Sequence, residues 1–291
     1  MKIAALNALA AACLTMAAGP VFAAAYGSAI FGNVHVTLID LDPNDGIAAS
    51  ISFLPGDKYY DGAEIAGTAA SGPLGSKQPG ASYELFDLSA AWRSNSPHAT
   101  AQTSLASVSA SVTGSGSGIG FSQGSLSGSA LSSAQLGASF YGDAKLPGNK
   151  KSEFVLSANT QVIFSIDAAL SARTTIGRSA DGLTGEAVSA QMSLYASGWG
   201  ADGYTLLEDQ QDRLASVAWT AGGAADSWSG AMSVSYSNLS TESSDGSFWA
   251  EAQISGNSIT TAVPEPSTYG MLLGGLALLA GVARRRRNPA V

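Results

Sequence analysis

Residues 24–262 predict an all-β fold: an antiparallel β-sandwich, jelly-roll or Ig-like, flanked by an N-terminal signal helix and a C-terminal transmembrane helix. Three observations carry this expectation. Apolar residues recur with period two through most of the chain, as in Val162, Phe164, Ile166 and Ala168. Clusters of Gly, Pro, Asn, Asp and Ser interrupt that pattern at short intervals. Two long uncharged runs stand at the ends of a chain in which only 12% of residues are charged.

Taken in order, Val34, Val36 and Leu38 alternate with polar neighbours. The stretch Asp40-Leu41-Asp42-Pro43-Asn44-Asp45-Gly46 follows, and alternation resumes at Ile47, Ala49, Ile51 and Phe53. Strand, turn-rich loop and strand predict a β-hairpin. A second hairpin is expected at 153–172, with Phe154, Leu156 and Ala158 on one arm, Asn159 at the turn and Val162 to Ala168 on the other. Further strands are expected at Leu85–Trp92, Leu105–Val112, Ala187–Ser197, Leu214–Thr220, Trp228–Tyr236 and Phe248–Ile254. The Gly/Ser-rich stretch 113–128 reads either as a flexible loop or as edge strands with small side chains toward solvent. Both one sandwich and two remain open for this region.

Charge excludes one partner class. Five of the 14 Lys and Arg lie at the ends (Lys2, Arg284, Arg285, Arg286, Arg287), so residues 24–263 hold nine cations against 21 anions. Such a surface repels phosphate backbones, and no nucleic-acid partner is expected. Cys13 is the single cysteine, and His35 and His98 are the two histidines. An intrachain disulfide, a thiolate nucleophile in the exported body and a Cys- or His-rich metal site all lack parts.

The ends read as addresses. Lys2 precedes the apolar run Ile3 to Ala18, Gly19-Pro20 breaks it, and Val21-Phe22-Ala23 presents short residues for cleavage after Ala23, with Ala25 a near alternative. Lipidation at Cys13 would need a Leu-like residue three places earlier, where Ala10 stands. At the other end, Val263-Pro264-Glu265-Pro266 leads into an uncharged stretch from Pro266 to Ala283, then four arginines. Eighteen residues rise about 27 Å as a helix, a short membrane span completed by snorkelling arginines. The positive-inside bias keeps Arg284 to Arg287 cytoplasmic.

Pro-Glu-Pro, apolar helix and arginine cluster, in that order, resemble the PEP-CTERM sorting segment, also named after the C-termini of ice-binding proteins. The resemblance covers Val263 to Ala290. It implies export, transient holding in the inner membrane and recognition by an exosortase, in a setting of exopolysaccharide and biofilm. The two prolines keep Pro264 to Pro266 extended, the form a protease cleft accepts. Glu265 then serves recognition, not catalysis. The stretch Leu38 to Phe53 also resembles an N-terminal segment of some PEP-CTERM proteins.

Within the body, Asp40, Asp42, Asn44 and Asp45 offer hard oxygen donors of the kind calcium takes, against the plainer reading of a solvated turn. The EF-hand pattern fails, since position six is Asp45 and position twelve is Ile51. Of the five tryptophans, Trp219 and Trp249 are expected in the core, and Trp199, between two glycines, is the candidate for stacking on a sugar ring. Glu208, Asp209 and Asp212 read as a polar loop, and neither histidine has a sequence neighbour that makes a triad. No Thr-x-Thr ladder of an ice-binding face appears.

The sequence therefore predicts a non-enzymatic, exosortase-processed surface or matrix protein with a structural or adhesive role among extracellular polysaccharide. A carbohydrate-binding module, with or without calcium, is the alternative, and a secreted hydrolase comes third.

Overall fold

Small side chains set the thickness of this protein. The computed structural model describes residues 23–54, 64–73, 80–86, 98–114, 119, 121–132, 136–146, 152–177, 185–218, 220 and 222–259. They form fourteen strands: β1 (Ala23–Asp40), β2 (Ile51–Phe53), β3 (Glu64–Pro73), β4 (Ala81–Phe86), β5 (His98–Gln102), β6 (Ala106–Gly114), β7 (Phe121–Ser132), β8 (Leu136–Leu146), β9 (Ser152–Leu156), β10 (Thr160–Thr174), β11 (Gly185–Trp199), β12 (Leu206–Ala218), β13 (Ala225–Asn238) and β14 (Ser244–Ile259). The expected signal peptide and the sorting segment lie outside the described residues. Among the described residues no helix is long and apolar enough to cross a membrane.

The strands make one sandwich of two sheets. Sheet A runs β13-β10-β1-β7-β6-β5, and sheet B runs β12-β11-β14-β8-β3-β4, with β9 and β2 attached beside the first half of β14. Each ladder among the described residues is antiparallel, and inner faces alternate with outer ones along the strands. Residues 23–260 form a single unit.

The core has an aromatic half and a small-residue half. Phe164 of sheet A stacks on Phe248 of sheet B at 4.3 Å, and Phe154, Tyr236, Phe121 and Phe31 extend the cluster. In the other half, alanines such as Ala25, Ala69, Ala130 and Ala190 fill the inner faces. There the buried Phe140 ring lies against Gly128 of sheet A and Gly256 of its own sheet; a Cβ at either glycine would meet the ring at 2.2 and 2.4 Å. One phenylalanine thus occupies the space that two small residues vacate.

Pairing departs from the sequence reading in three places. The 34–53 hairpin does not form: β1 pairs with β10 and β7, while β2 pairs with β9 in the opposite sheet. Residues 41–50 carry the chain between sheets. The 153–172 segment does give two strands, but β9 joins β14 and β10 joins β1 and β13. The turn at Asn159, with φ of 45°, again changes sheets. Periodicity identifies faces, and it cannot name the partner of a strand. Finally, residues 121–128 of the Gly/Ser-rich stretch are neither loop nor edge: they belong to β7, which lies between β1 and β6. Three of its serines point outward and pair with serines of β6, Ser129 with Ser107, Ser127 with Ser109 and Ser125 with Ser111, at 2.8 to 2.9 Å.

Candidate functional site

The outer face of sheet B carries a groove at the end of β11. Trp199 is the last residue of that strand and stands opposite Leu206 of β12. On the other side Gly198 pairs with Gly246 and Ser197 with Ser247 of β14, and Glu153 of β9 pairs with Ser247. Trp199, Leu206, Leu54, Glu153 and Asp245 wall the groove, and Ser197, Ser247, Gly198 and Gly246 floor it. The Trp199 side is 45% exposed.

Each wall has a local cause. Gly198 and Gly246 have no side chains because the Tyr236 and Phe154 rings press on them from the core; a Cβ would meet those rings at 2.2 and 2.4 Å. The Ser197 and Ser247 hydroxyls bond to each other at 2.8 Å. Tyr236 reaches across from sheet A, donates its hydroxyl to the Trp199 carbonyl at 2.7 Å and lies 2.8 Å from the Ser244 hydroxyl. Burial raises the Tyr236 phenol above its ordinary value, so it stays a donor.

The loop that brings Leu206 back beside Trp199 is held by one carboxylate. Asp202 accepts the Tyr204 N–H at 3.0 Å, the Thr205 N–H at 2.9 Å and the Thr205 hydroxyl at 2.6 Å. The Thr205 hydroxyl first, then these two N–H groups, depress its pKa to about 2. Gly203 takes φ of 69°, and the Gly200 N–H bonds to the Thr205 carbonyl at 2.7 Å.

A second polar cluster, unsignalled by any motif, lies farther along the same face. Asp143 of β8 is only 5% exposed, and its Oδ2 is 3.4 Å from Lys145 Nζ. Asp143 Oδ1 and Glu64 Oε2 are buried without a hydrogen-bond donor. Burial first, and then the adjacent Glu251 charge, push Asp143 up to about 6. For Lys145, burial works against the charge, but Asp143, Glu64 and Glu251 together raise its pKa. Tyr141 is raised too, by burial and then by Asp143. Its hydroxyl accepts from Gln253 at 2.9 Å. The outward alternation Tyr141, Asp143, Lys145 is the sequence signal that marks this cluster, because alternate residues share a face.

The carboxylates of the proposed calcium cluster have structural partners. Asp40 accepts the Asp42 N–H at 3.0 Å, Asp42 the Asn44 N–H at 3.2 Å and Asp45 the Ile47 N–H at 2.6 Å, a run of Asx turns. The Asn159 side chain donates to Asp45 at 2.8 Å and, with the Ile47 N–H, lowers its pKa. The segment is thereby docked on the β9–β10 turn. Among the described residues no three Asp, Glu, His or Cys side chains are grouped to hold a metal ion.

Other residues fall as follows. Ala23 opens β1 opposite Ser132. Pro264, Glu265, Pro266 and Arg284 to Arg287 lie outside the described residues, as do Trp92 and Trp219. Trp249 is not in the core: Phe248 takes the inward position, and Trp249 stacks on Tyr195 on the outer face at 5.6 Å. Tyr195 also donates to Glu208. Residues 208–212 are strand and not loop, because β12 alternates its polar residues between solvent and the edge of sheet A. His35 and His98 lie on exposed positions of β1 and β5.

Comparison with curated proteins finds no match to this chain. A solved structure described as addressing the promiscuous specificity of carbohydrate-binding modules from the β-sandwich superfamily aligns over 72% of this chain and 96% of that one, at 8% identity and a TM-score of 0.12. A likeness that slight carries no argument about fold or ligand. The match at the C-terminal end is of another kind. Residues 262–287 match the family of the PEP-CTERM protein-sorting motif, so this chain carries that motif, which implies exosortase-dependent export to the cell surface with exosortase as the processing partner.

Proposed function

We propose that the protein is a surface or matrix adhesin whose sandwich binds sugar chains of the extracellular polysaccharide through the Trp199 groove. The carrying observation is the exposed indole beside a hydroxyl-bearing floor and two carboxylates. An indole face stacks on the apolar face of a sugar ring, and serines and carboxylates meet its hydroxyls. After export the sorting segment holds the chain in the inner membrane with Arg284 to Arg287 cytoplasmic, until exosortase releases it toward the cell surface.

An adhesive role is favoured over a hydrolytic one. Glycoside hydrolysis needs two carboxyl groups about 5–9.5 Å apart, with room for sugar or water between them. Asp143 and Glu251 on sheet B are instead in direct contact, and Asp143 is buried. Calcium is not required by this reading, since the loop carboxylates already accept hydrogen bonds from the chain.

The test is calorimetric titration of the full chain with purified exopolysaccharide, with and without a chelator. Binding heat that survives the chelator and disappears in Trp199→Ala is expected. Absence of heat under every condition discards the proposal. Mass spectrometry of the mature protein locates both processed ends.

A further inference from the structure

We propose that the Trp199 groove selects glycans bearing protonated amino groups over neutral or uronic-acid chains. This inference rests on the glycan reading of the groove and names its ligand class. Glu153 of β9 and Asp245 of β14, both on the β14 side of Trp199, are exposed, and neither side chain has a hydrogen-bond or ion-pair partner among the described residues. Glu208 stands two rows away, opposite Ser197.

Among the described residues of the strands that line the groove, positive charge is scarce. Within β9, β11, β12 and β14 the one cationic residue is Arg213, and its guanidinium lies 5.3 Å above the Trp228 ring. The groove therefore presents an open aromatic face and two free negative charges. An ammonium group gains from both, by ion pairing with the carboxylates and by cation–π attraction to the indole. A carboxylated sugar meets repulsion at the same place. The net charge of −8 for the whole chain acts in the same direction at longer range. The two carboxylates lie on adjacent strands on one side of the indole, Glu153 one strand beyond Asp245, so an amine beside the ring meets both from the same side.

The experiment uses the full chain and two probes of equal length, an oligomer of glucosamine and its fully N-acetylated form, at a pH where the free amines are charged. Two exposed ion pairs predict about fivefold tighter binding of the amine form at low salt. Raising the salt to 1 M erases that preference. So does Glu153→Gln/Asp245→Asn, whose fold is verified by thermal unfolding. Binding of both probes with equal affinity, or a preference untouched by the double variant, overturns the inference and leaves the glycan reading in place. Binding of neither probe overturns both.

Discussion

Asp209 of β12 accepts the backbone N–H of Ser235 of β13 at 2.7 Å, and so ties the edges of two sheets that share no ladder. Gln211 accepts the Ser233 N–H at 2.8 Å, and Asp226 of β13 returns the favour to the Ser216 N–H at 2.9 Å. An open strand edge is a template for pairing with another chain, and here side chains occupy its donors.

Removing those acceptors frees the edge. Asp209→Ala/Gln211→Ala leaves the Ser233 and Ser235 N–H groups unpaired, at a cost of about 1–3 kcal/mol for the pair. Lower thermal stability and concentration-dependent association in light scattering are expected. A variant that melts like the parent and stays monodisperse would show that the lacing is incidental.

Phe140 and the glycines around it form one packing unit. Gly128→Ala drives a methyl into the ring and should cost about 1–3 kcal/mol. Adding Phe140→Leu to that background should recover part of the loss, although Phe140→Leu alone destabilises. The double-mutant cycle reads this coupling directly, and strict additivity would contradict it.

Asp143 makes stability fall with rising pH. Its folded pKa of about 6 lies above the ordinary aspartate value of 3.8, so the folded state holds the proton more tightly than the unfolded chain. That contribution is complete below about pH 4 and is lost as pH rises through about 6. Asp143→Asn should flatten the melting temperature between pH 4 and 7 and stabilise the protein at pH 8. An unchanged pH profile would remove Asp143 from this role.

Tyr236→Phe keeps the core ring and deletes the hydroxyl that pins the Trp199 carbonyl. A loss of about 1 kcal/mol in stability is expected. Affinity at the groove should drop with it, as measured by the same titration. Full affinity in this variant would show that Trp199 is held by the β11–β12 turn alone.

The sequence by itself determined the C-terminal sorting motif, the all-β class and the inner and outer faces of most strands. Each rests on local information: an uncharged run, a proline pair, or alternation between neighbours two residues apart. That is also why Trp199 could be singled out, since flanking glycines are visible in one dimension. The tertiary structure decided everything that depends on which strand lies beside which. It moved β2 away from β1, set β7 in the middle of sheet A and turned Trp249 outward because Phe248 fills the core. Register alone lines up Thr100, Ser109, Ser127, Ser28, Ser171 and Ser227 as a row of hydroxyls across all six strands of sheet A, from residues up to 199 positions away from one another. It likewise brings Asp143 against Glu251 and sets Glu153 and Asp245 in one groove with Trp199. Alternation fixes a side chain's face, but partners are chosen by the shape of the whole core, where glycines and phenylalanines far apart in the chain must fit.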